Sequence, residues 1–97
     1  MSVRFTLSPR AQGDLDDIWD YTVGRWGVDR AESYTRRIGQ DIAAVAAQPA
    51  MGRACPEIRA GYFRYRTGSH VLFYRPIAGG IEVVRIPHER MDFVRHV

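Results

Sequence analysis

Residues 71–92 read VLFYRPIAGGIEVVRIPHERMD, and two β-patterned runs in this stretch decide the fold. The runs predict strands at 70–75 and 81–87, which are joined by a turn at Ala78-Gly79-Gly80. Such a short glycine connection makes the pair a β-hairpin. Arginines, a tyrosine and two histidines lie on or beside it, so the hairpin offers a rigid support for polar chemistry.

Two further strands are predicted outside the hairpin. Residues 62–67 alternate and end at Gly68, so with the hairpin they form an antiparallel meander, whereas residues 50–61 are loop-like. Residues 3–7 form a short strand at the start of the chain. This strand must join the same sheet, because five isolated residues have no other way to satisfy their backbone hydrogen-bonding groups.

A first helix is predicted from Ser8-Pro9 to Gly27. Serine caps the helix, proline suits its first position, and glycine ends it. The apolar face recurs at spacings of three and four: Leu15, Ile18, Trp19, Thr22, Val23 and Trp26. Four carboxylates lie on the other face or near the positive helix N-terminus: Asp14, Asp16, Asp17 and Asp20.

A second helix follows after a connection of about three residues. Asp29 is its predicted cap, Glu32 has the capping-box spacing, and Pro49 ends the helix. Its apolar stripe consists of Ala31, Tyr34, Ile38, Ile42 and Val45. The short connection predicts an antiparallel helical hairpin. The whole chain, residues 1–97, is therefore a single α+β domain of order β-α-α-β-β-β, with the helical hairpin packed on a small, mainly antiparallel sheet.

Length and composition limit the possible functions. A chain of 97 residues with 45% apolar content supports one core and no second domain. No apolar run approaches the roughly 20 residues that span a bilayer, and the N-terminus lacks a signal-peptide pattern. We therefore expect a cytoplasmic protein without a membrane partner. The lone Cys55 fits a reducing compartment.

Charge is distributed unevenly along the chain. Residues 1–48 carry six arginines against seven acids, a net charge of −1, whereas residues 49–97 carry eight arginines against four acids, a net charge of +4. All basic residues are arginine, which suits bidentate contacts to carboxylate or phosphate, although codon bias in a GC-rich genome also explains the absence of lysine. An anionic surface is the expected partner of the basic half.

Several kinds of site are not supported by the sequence. Cys55, His70 and His88 lack the spacing of metal ligands, and Gly79-Gly80 joins two strands instead of opening a helix as a phosphate-binding loop does. Ser69 and His70 are neighbours whose side chains point to opposite faces of a strand, so they do not form a nucleophile and base. We expect no metal, no cofactor and no small-molecule substrate.

The arginines of the predicted sheet are the remaining candidates. Arg64 and Arg66 share a face because they are two residues apart. If a three-residue loop pairs Ile77 with Ile81, Arg75 and Arg85 share a face. If a four-residue loop sets Arg75 opposite Glu82, the two arginines lie on opposite faces. The alternative role for each arginine is a solvated strand face or a salt bridge to the acidic first helix.

His88 lies between Arg85 and Arg90 just after the last strand. A histidine beside cations could act as acid or base in RNA cleavage through the 2′-hydroxyl. Alternatively, His88 and Arg90 bond backbone groups where the strand ends. Tyr74 is more typical of a packing residue with its hydroxyl at the rim than of a catalytic acid.

An ordered set of short motifs resembles the ParE branch of the RelE/ParE toxin superfamily. The motifs are the opening LSPRA at 7–11 before an acidic helix with Ile18-Trp19, then PAMGR at 49–53, EIRAGY at 57–62, GSH at 68–70, FYR at 73–75 and EVVRIPHERMD at 82–92. They cover nearly the whole chain. The fold order derived from periodicity agrees with the fold that this resemblance implies.

The resemblance implies a toxin of a type II toxin–antitoxin operon, held inactive by a ParD-like antitoxin. ParE-type toxins inhibit DNA gyrase by binding the gyrase–DNA complex, without catalysis by the toxin. RelE-type relatives instead cleave mRNA on the ribosome. This chain departs from the ribonuclease pattern, because lysine is absent and no tyrosine follows Tyr74. If the chain is nevertheless a ribosome-dependent nuclease, Arg85 and His88 are its candidate catalytic residues.

The basic sheet face and the nearby groove are therefore the predicted surface for target and antitoxin. Trp19, Trp26 and Tyr34 are expected to lie mainly in the hairpin core, with exposed edges available as anchors. The candidate binding residues are Arg64, Arg66, Tyr74, Arg75, Arg85, His88, Arg90, Met91 and Phe93.

Overall fold

The computed structural model describes residues 4–91. Five strands and two long helices are present: β1 (Arg4–Leu7), α1 (Pro9–Trp26), α2 (Val28–Ala47), β2 (Arg53–Ala54), β3 (Phe63–Thr67), β4 (His70–Ile77) and β5 (Gly80–Arg85). A 3₁₀ turn, Pro49–Met51, follows α2. The predicted α+β class and the order of the main elements are confirmed.

The strands form one sheet of order β1-β5-β4-β3-β2. β1 runs parallel to β5, and the other neighbours are antiparallel. A parallel neighbour is possible because the helical hairpin separates β1 from the meander and returns the chain across the sheet. The two residues of β2 were predicted as loop, because a pair this short leaves no alternation to detect.

The β4–β5 hairpin sets Arg75 opposite Glu82, as the second alternative predicts, but the four-residue loop of that alternative was wrong. Arg75 pairs with Glu82, and pairing continues to Ile77 and Gly80, which leaves only Ala78 and Gly79 in the turn. Gly79 has a φ of 78°, in the left-handed region that glycine adopts without strain. A β-bulge between Tyr74–Val83 and Phe73–Arg85 shifts the register farther along the strands.

Ser8 begins α1 as predicted. Its Oγ accepts a hydrogen bond from the Ala11 amide at 3.0 Å and donates one to the Val84 carbonyl at 2.7 Å, so one side chain both caps the helix and fastens it to β5. The predicted cap of α2 was wrong: Gly27 alone connects the helices, and Asp29 lies inside the first turn. A one-residue connection leaves no room for a separate side-chain cap.

Both faces of the sheet bury apolar side chains. The larger cluster lies between the sheet and the helices and includes Ile18, Ile38, Ile42, Leu72, Tyr74, Ile81 and Val83. A smaller cluster covers the opposite face and consists of Cys55, Tyr62, Val71 and Phe73, with Ile58 and Val84 against it. We call this opposite side the outer face. Burial raises the pKa of the Cys55 thiol.

Within the described residues, none of the helices has the length and apolar character required to cross a bilayer.

Candidate interaction groove and basic sheet face

An open groove of about 580 Å³ lies between α1 and the chain that leaves β5. One wall carries α1 side chains, among them Ile18, Tyr21 and Trp26. The other wall carries the segment 85–88 and Met91, with Tyr34 and His70 between the walls. The groove is therefore mainly apolar and aromatic, with polar groups that include Asp17 of α1, Arg30 of α2 and His88.

A buried ion pair joins the two walls. The Arg85 guanidinium donates from Nε to Asp14 Oδ2 at 2.9 Å and from Nη2 to Asp14 Oδ1 at 3.2 Å. The same Oδ2 accepts from the Ile86 amide at 2.8 Å. Less than a fifth of either charged side chain is exposed, and the Asp14 contact raises the pKa of Arg85 above its already high usual value. The predicted alternative of a salt bridge to the first helix is thus observed for Arg85.

Sequence reasoning placed Asp14 on the outer side of α1 or near its positive end, and this was wrong. A signal was available, because Asp14 lies three residues after Ala11 and four before Ile18. Residues at these spacings share one helix face. A carboxylate on the apolar stripe indicates a buried cation as its partner.

A tyrosine and two histidines line the groove beside this ion pair. The Tyr34 hydroxyl accepts from the Ser69 amide at 2.9 Å and forms a second hydrogen bond, of 2.7 Å, with His70 Nδ1. Burial, with a smaller contribution from His88, lowers the pKa of His70, against the opposing charges of Asp14 and Glu89. His70 is therefore neutral near pH 7.

His88 is exposed and forms an isolated antiparallel bridge with His70. Its Nδ1 accepts from the Arg90 amide at 3.1 Å, and its ring meets the His70 ring edge to face at 5.3 Å. This is the backbone-bonding role that the sequence allowed for a histidine at a strand end. Arg90 and Met91 are exposed next to it, and Phe93 lies outside the described residues.

The rim of the groove is aromatic and cationic. Trp26 is 54% exposed and Tyr21 is 61% exposed, with their rings 6.0 Å apart. The guanidinium groups of Arg25 and Arg30 lie 5.6 Å and 5.7 Å from the Trp26 ring centre. The prediction of Trp26 as mainly core was wrong, because more than half of this residue is exposed. Trp19 and Tyr34 are half-buried.

Tyr74 does not belong to either surface. Its side chain is fully buried, and its hydroxyl donates to the Pro49 carbonyl at 2.7 Å. Burial raises the pKa of this phenol. Tyr74 therefore links the 3₁₀ turn after α2 to the sheet, and its prediction as a binding residue is not supported by this position.

Three other predicted arginines, Arg64, Arg66 and Arg75, lie on the outer face and do not line the groove. Arg64 and Arg66 alternate on β3 with inward-facing neighbours, which confirms their shared face. Arg66 pairs with Glu89, and Arg75 pairs with Glu82 at 2.7 Å. The structure thus separates two sets that the sequence treated as one surface: Arg85, His88 and Met91 at the groove, and Arg64, Arg66 and Arg75 on the outer face.

This chain is similar in sequence to a known protein family. Residues 5–93 match the family model described as the ParE toxin of the type II toxin–antitoxin system, parDE. Such a match over most of the chain defines the class as the toxin component of a type II toxin–antitoxin system. The chain belongs to the ParE toxin family.

Full-length relatives agree with this membership. The chain is 53% identical to Toxin ParE1 of Mycobacterium tuberculosis over 98 residues, with complete coverage of both proteins. It is 43% identical to Toxin ParE1 of Caulobacter vibrioides over 93 residues, which is 96% of each. A solved structure, described as the chromosomal ParDE TA system from P. aeruginosa, shares the fold with a TM-score of 0.75 at 19% identity, covering 89% of this chain and 95% of that one.

Proposed function

We propose that this toxin inhibits DNA gyrase in the bacterial cytoplasm by binding, without catalysis, and that a ParD-like antitoxin neutralises it. Membership of the ParE family supports the gyrase target. The proposal extends to a gyrase–DNA complex as the bound form of the target, since the basic half of the chain suits an anionic surface.

The hydrogen bonds of Arg85 are the observation that favours binding over RNA cleavage. A nuclease needs a cation aimed at the scissile phosphate, together with a base and an acid. Here the Arg85 guanidinium is held by Asp14 through two hydrogen bonds. The Nδ1 of His88 accepts from a backbone amide, and the Tyr74 hydroxyl is buried away from the groove. The described residues therefore favour recognition.

The groove is the proposed binding site of the antitoxin. Its apolar walls suit the apolar face of an amphipathic segment, and the exposed Trp26 ring offers an anchor. Arg25 and Arg30 flank this ring and would face acidic side chains of the bound segment. An antitoxin seated here would cover Arg85 and His88 in the same event.

Purified toxin and gyrase test the target. We expect loss of supercoiling and accumulation of cleaved DNA, both reversed by the antitoxin. Codon-positioned mRNA cuts on ribosomes, with gyrase unaffected, would overturn the proposal in favour of a RelE-like endonuclease. Harmless expression without any partner would indicate a non-toxic interaction domain.

His88→Ala separates the two mechanisms further. In a binding toxin this exposed side chain is expendable for the fold and for much of the toxicity. In a nuclease its loss lowers the cleavage rate about 100-fold or more. Growth arrest should therefore persist in the variant, and circular dichroism should be unchanged.

A further inference from the structure

Two arginines face each other on the outer face, in the strand that the sequence did not predict. Arg53 of β2 pairs in register with Arg64 of β3, and both residues are exposed. Directly opposed side chains on neighbouring strands lie close together, so like charges there are destabilising. An anionic ligand bound to both would remove this repulsion.

Aromatic rings hold two guanidinium groups against the outer face. The Arg64 guanidinium lies 5.7 Å from the Phe73 ring centre, and that of Arg59 lies 5.9 Å from the Tyr62 ring centre. Both rings belong to the small outer cluster and are buried, at 4% and 8% exposure. The cations are therefore held over a packed support, which lowers the entropy lost when they bind a ligand.

Arg66 and Arg75, the other arginines of the outer face, are neutralised by carboxylates. Among the described residues, Arg53, Arg59 and Arg64 have no such partner. Arg66 pairs with Glu89, and Arg75 pairs with Glu82. Between residues 4 and 91, no carboxylate lies within ion-pair distance of Arg53, Arg59 or Arg64. We call these three residues the arginine patch.

We propose that the arginine patch binds the phosphate backbone of duplex DNA. Guanidinium groups bind phosphate oxygens in a bidentate fork, and three of them on one face suit a repeating anion. Unpaired strands are usually gripped by exposed aromatic rings that stack on the bases. Here the rings lie under the guanidinium groups and are buried, so the patch offers phosphate contacts without a stacking surface.

This binding does not depend on gyrase. If gyrase is the target, the arginine patch would touch the DNA of the complex from the face opposite the groove, and it would stay accessible while an antitoxin fills the groove. If gyrase is not the target, we still expect the toxin to bind DNA, because this binding depends only on residues of the outer face.

Fluorescence anisotropy with a labelled 20-base-pair duplex of arbitrary sequence, without gyrase, tests the proposal. We expect binding that weakens with salt at a slope of log K against log salt of about −2.7, since each of up to three phosphates contributes about −0.9. The double variant R53Q/R64Q should reduce the magnitude of this slope by about 2 and weaken binding roughly tenfold or more at low salt. Its thermal midpoint should be unchanged or higher, because a like-charge pair is removed.

R10Q/R36Q is the matched control. It removes the same net charge from two exposed helical positions, Arg10 and Arg36, and should keep the wild-type slope. Equal losses in both double variants would overturn the proposal, because net charge alone would then explain binding. It would also be overturned if wild-type protein failed to bind the duplex at low salt, or if polyglutamate of matched charge bound as tightly, since the latter indicates an acidic protein partner.

Discussion

Asp14 and Arg85 form a two-point ion pair whose carboxylate also accepts the Ile86 amide, so one acidic side chain of α1 fixes both the side chain and the backbone at the end of β5. The pair lies 71 residues apart in sequence. It determines the shape of the groove, because Arg85 and Ile86 line it. Because Asp14 neutralises the Arg85 guanidinium, this group is not available for a role that requires an unpaired cation.

Asp14→Ala should destabilise the fold by about 3 kcal/mol, because it leaves a mostly buried guanidinium without its carboxylate. Urea unfolding followed by circular dichroism measures this loss. Glu82→Ala is the control, since it breaks the exposed Arg75–Glu82 pair and should cost at most about 1 kcal/mol. Equal effects from the two variants would contradict the structural role of Asp14.

Tyr74→Phe should lower the free energy of unfolding by about 1 kcal/mol while toxicity per folded molecule stays at the wild-type level. The variant removes a buried hydroxyl and leaves the Pro49 carbonyl without this donor. Tyr21→Phe removes a hydroxyl from an exposed ring and should change stability by less than about 0.5 kcal/mol. A toxicity loss in Tyr74→Phe at full stability would restore Tyr74 as a binding residue.

His70 should make stability depend on pH. The folded state lowers the pKa of His70 below its usual 6.5, so the unfolded chain binds the proton more readily. This contribution is complete above pH 6.5 and is lost as the pH falls from there through the folded pKa.

Urea midpoints between pH 5 and 8 measure this effect. Wild-type protein should lose stability below pH 6.5, and His70→Gln should lose less over the same interval. His88, Asp14 and Glu89 also act on His70, so the difference between the two proteins is the informative quantity. Parallel curves would show that His70 does not contribute.

Gly80→Ala should detach β1 from the sheet. A Cβ at this position would lie 1.7 Å from the Arg4 carbonyl oxygen, so the backbone of β1 must move, at a cost of roughly 2 kcal/mol or more. Gly39→Ala is the matched control in an exposed stretch of α2, where a Cβ meets no heavy atom within 4 Å. It should stabilise the protein by about 0.5–1 kcal/mol. Thermal unfolding distinguishes these opposite signs.

Trp26→Ala should weaken antitoxin binding by about 2 kcal/mol or more, because the variant removes the exposed anchor of the groove. Its stability should change little, since more than half of the side chain is already in solvent. Val28→Ala truncates another exposed apolar residue that does not line the groove, and it should leave the affinity unchanged. Isothermal titration calorimetry with the purified antitoxin measures the affinity of each variant. Equal affinities for the two variants would place the antitoxin elsewhere.

The candidate site was only partly predictable from sequence. The positions of Arg85 at the end of the last strand and of His88 just after it were predicted from the hairpin pattern. The partners of Arg85 and His70 were not predicted, because Asp14 and Tyr34 come from helices whose rotation relative to the sheet is set by packing. The relative placement of Arg75 and Arg85 depends on the hairpin register, which the glycine turn left open between two alternatives.

By itself the sequence determined the two helices, the four longer strands and their order, because helix caps, apolar spacings and glycine turns act over a few residues. It also determined that the second half is basic. Only the tertiary structure decided which charges are neutralised, since Asp14 meets Arg85 across 71 positions, whereas no carboxylate of residues 4–91 lies within ion-pair distance of Arg53 or Arg64. Burial and ion pairing depend on which residues are neighbours in three dimensions, and local sequence patterns do not contain this information.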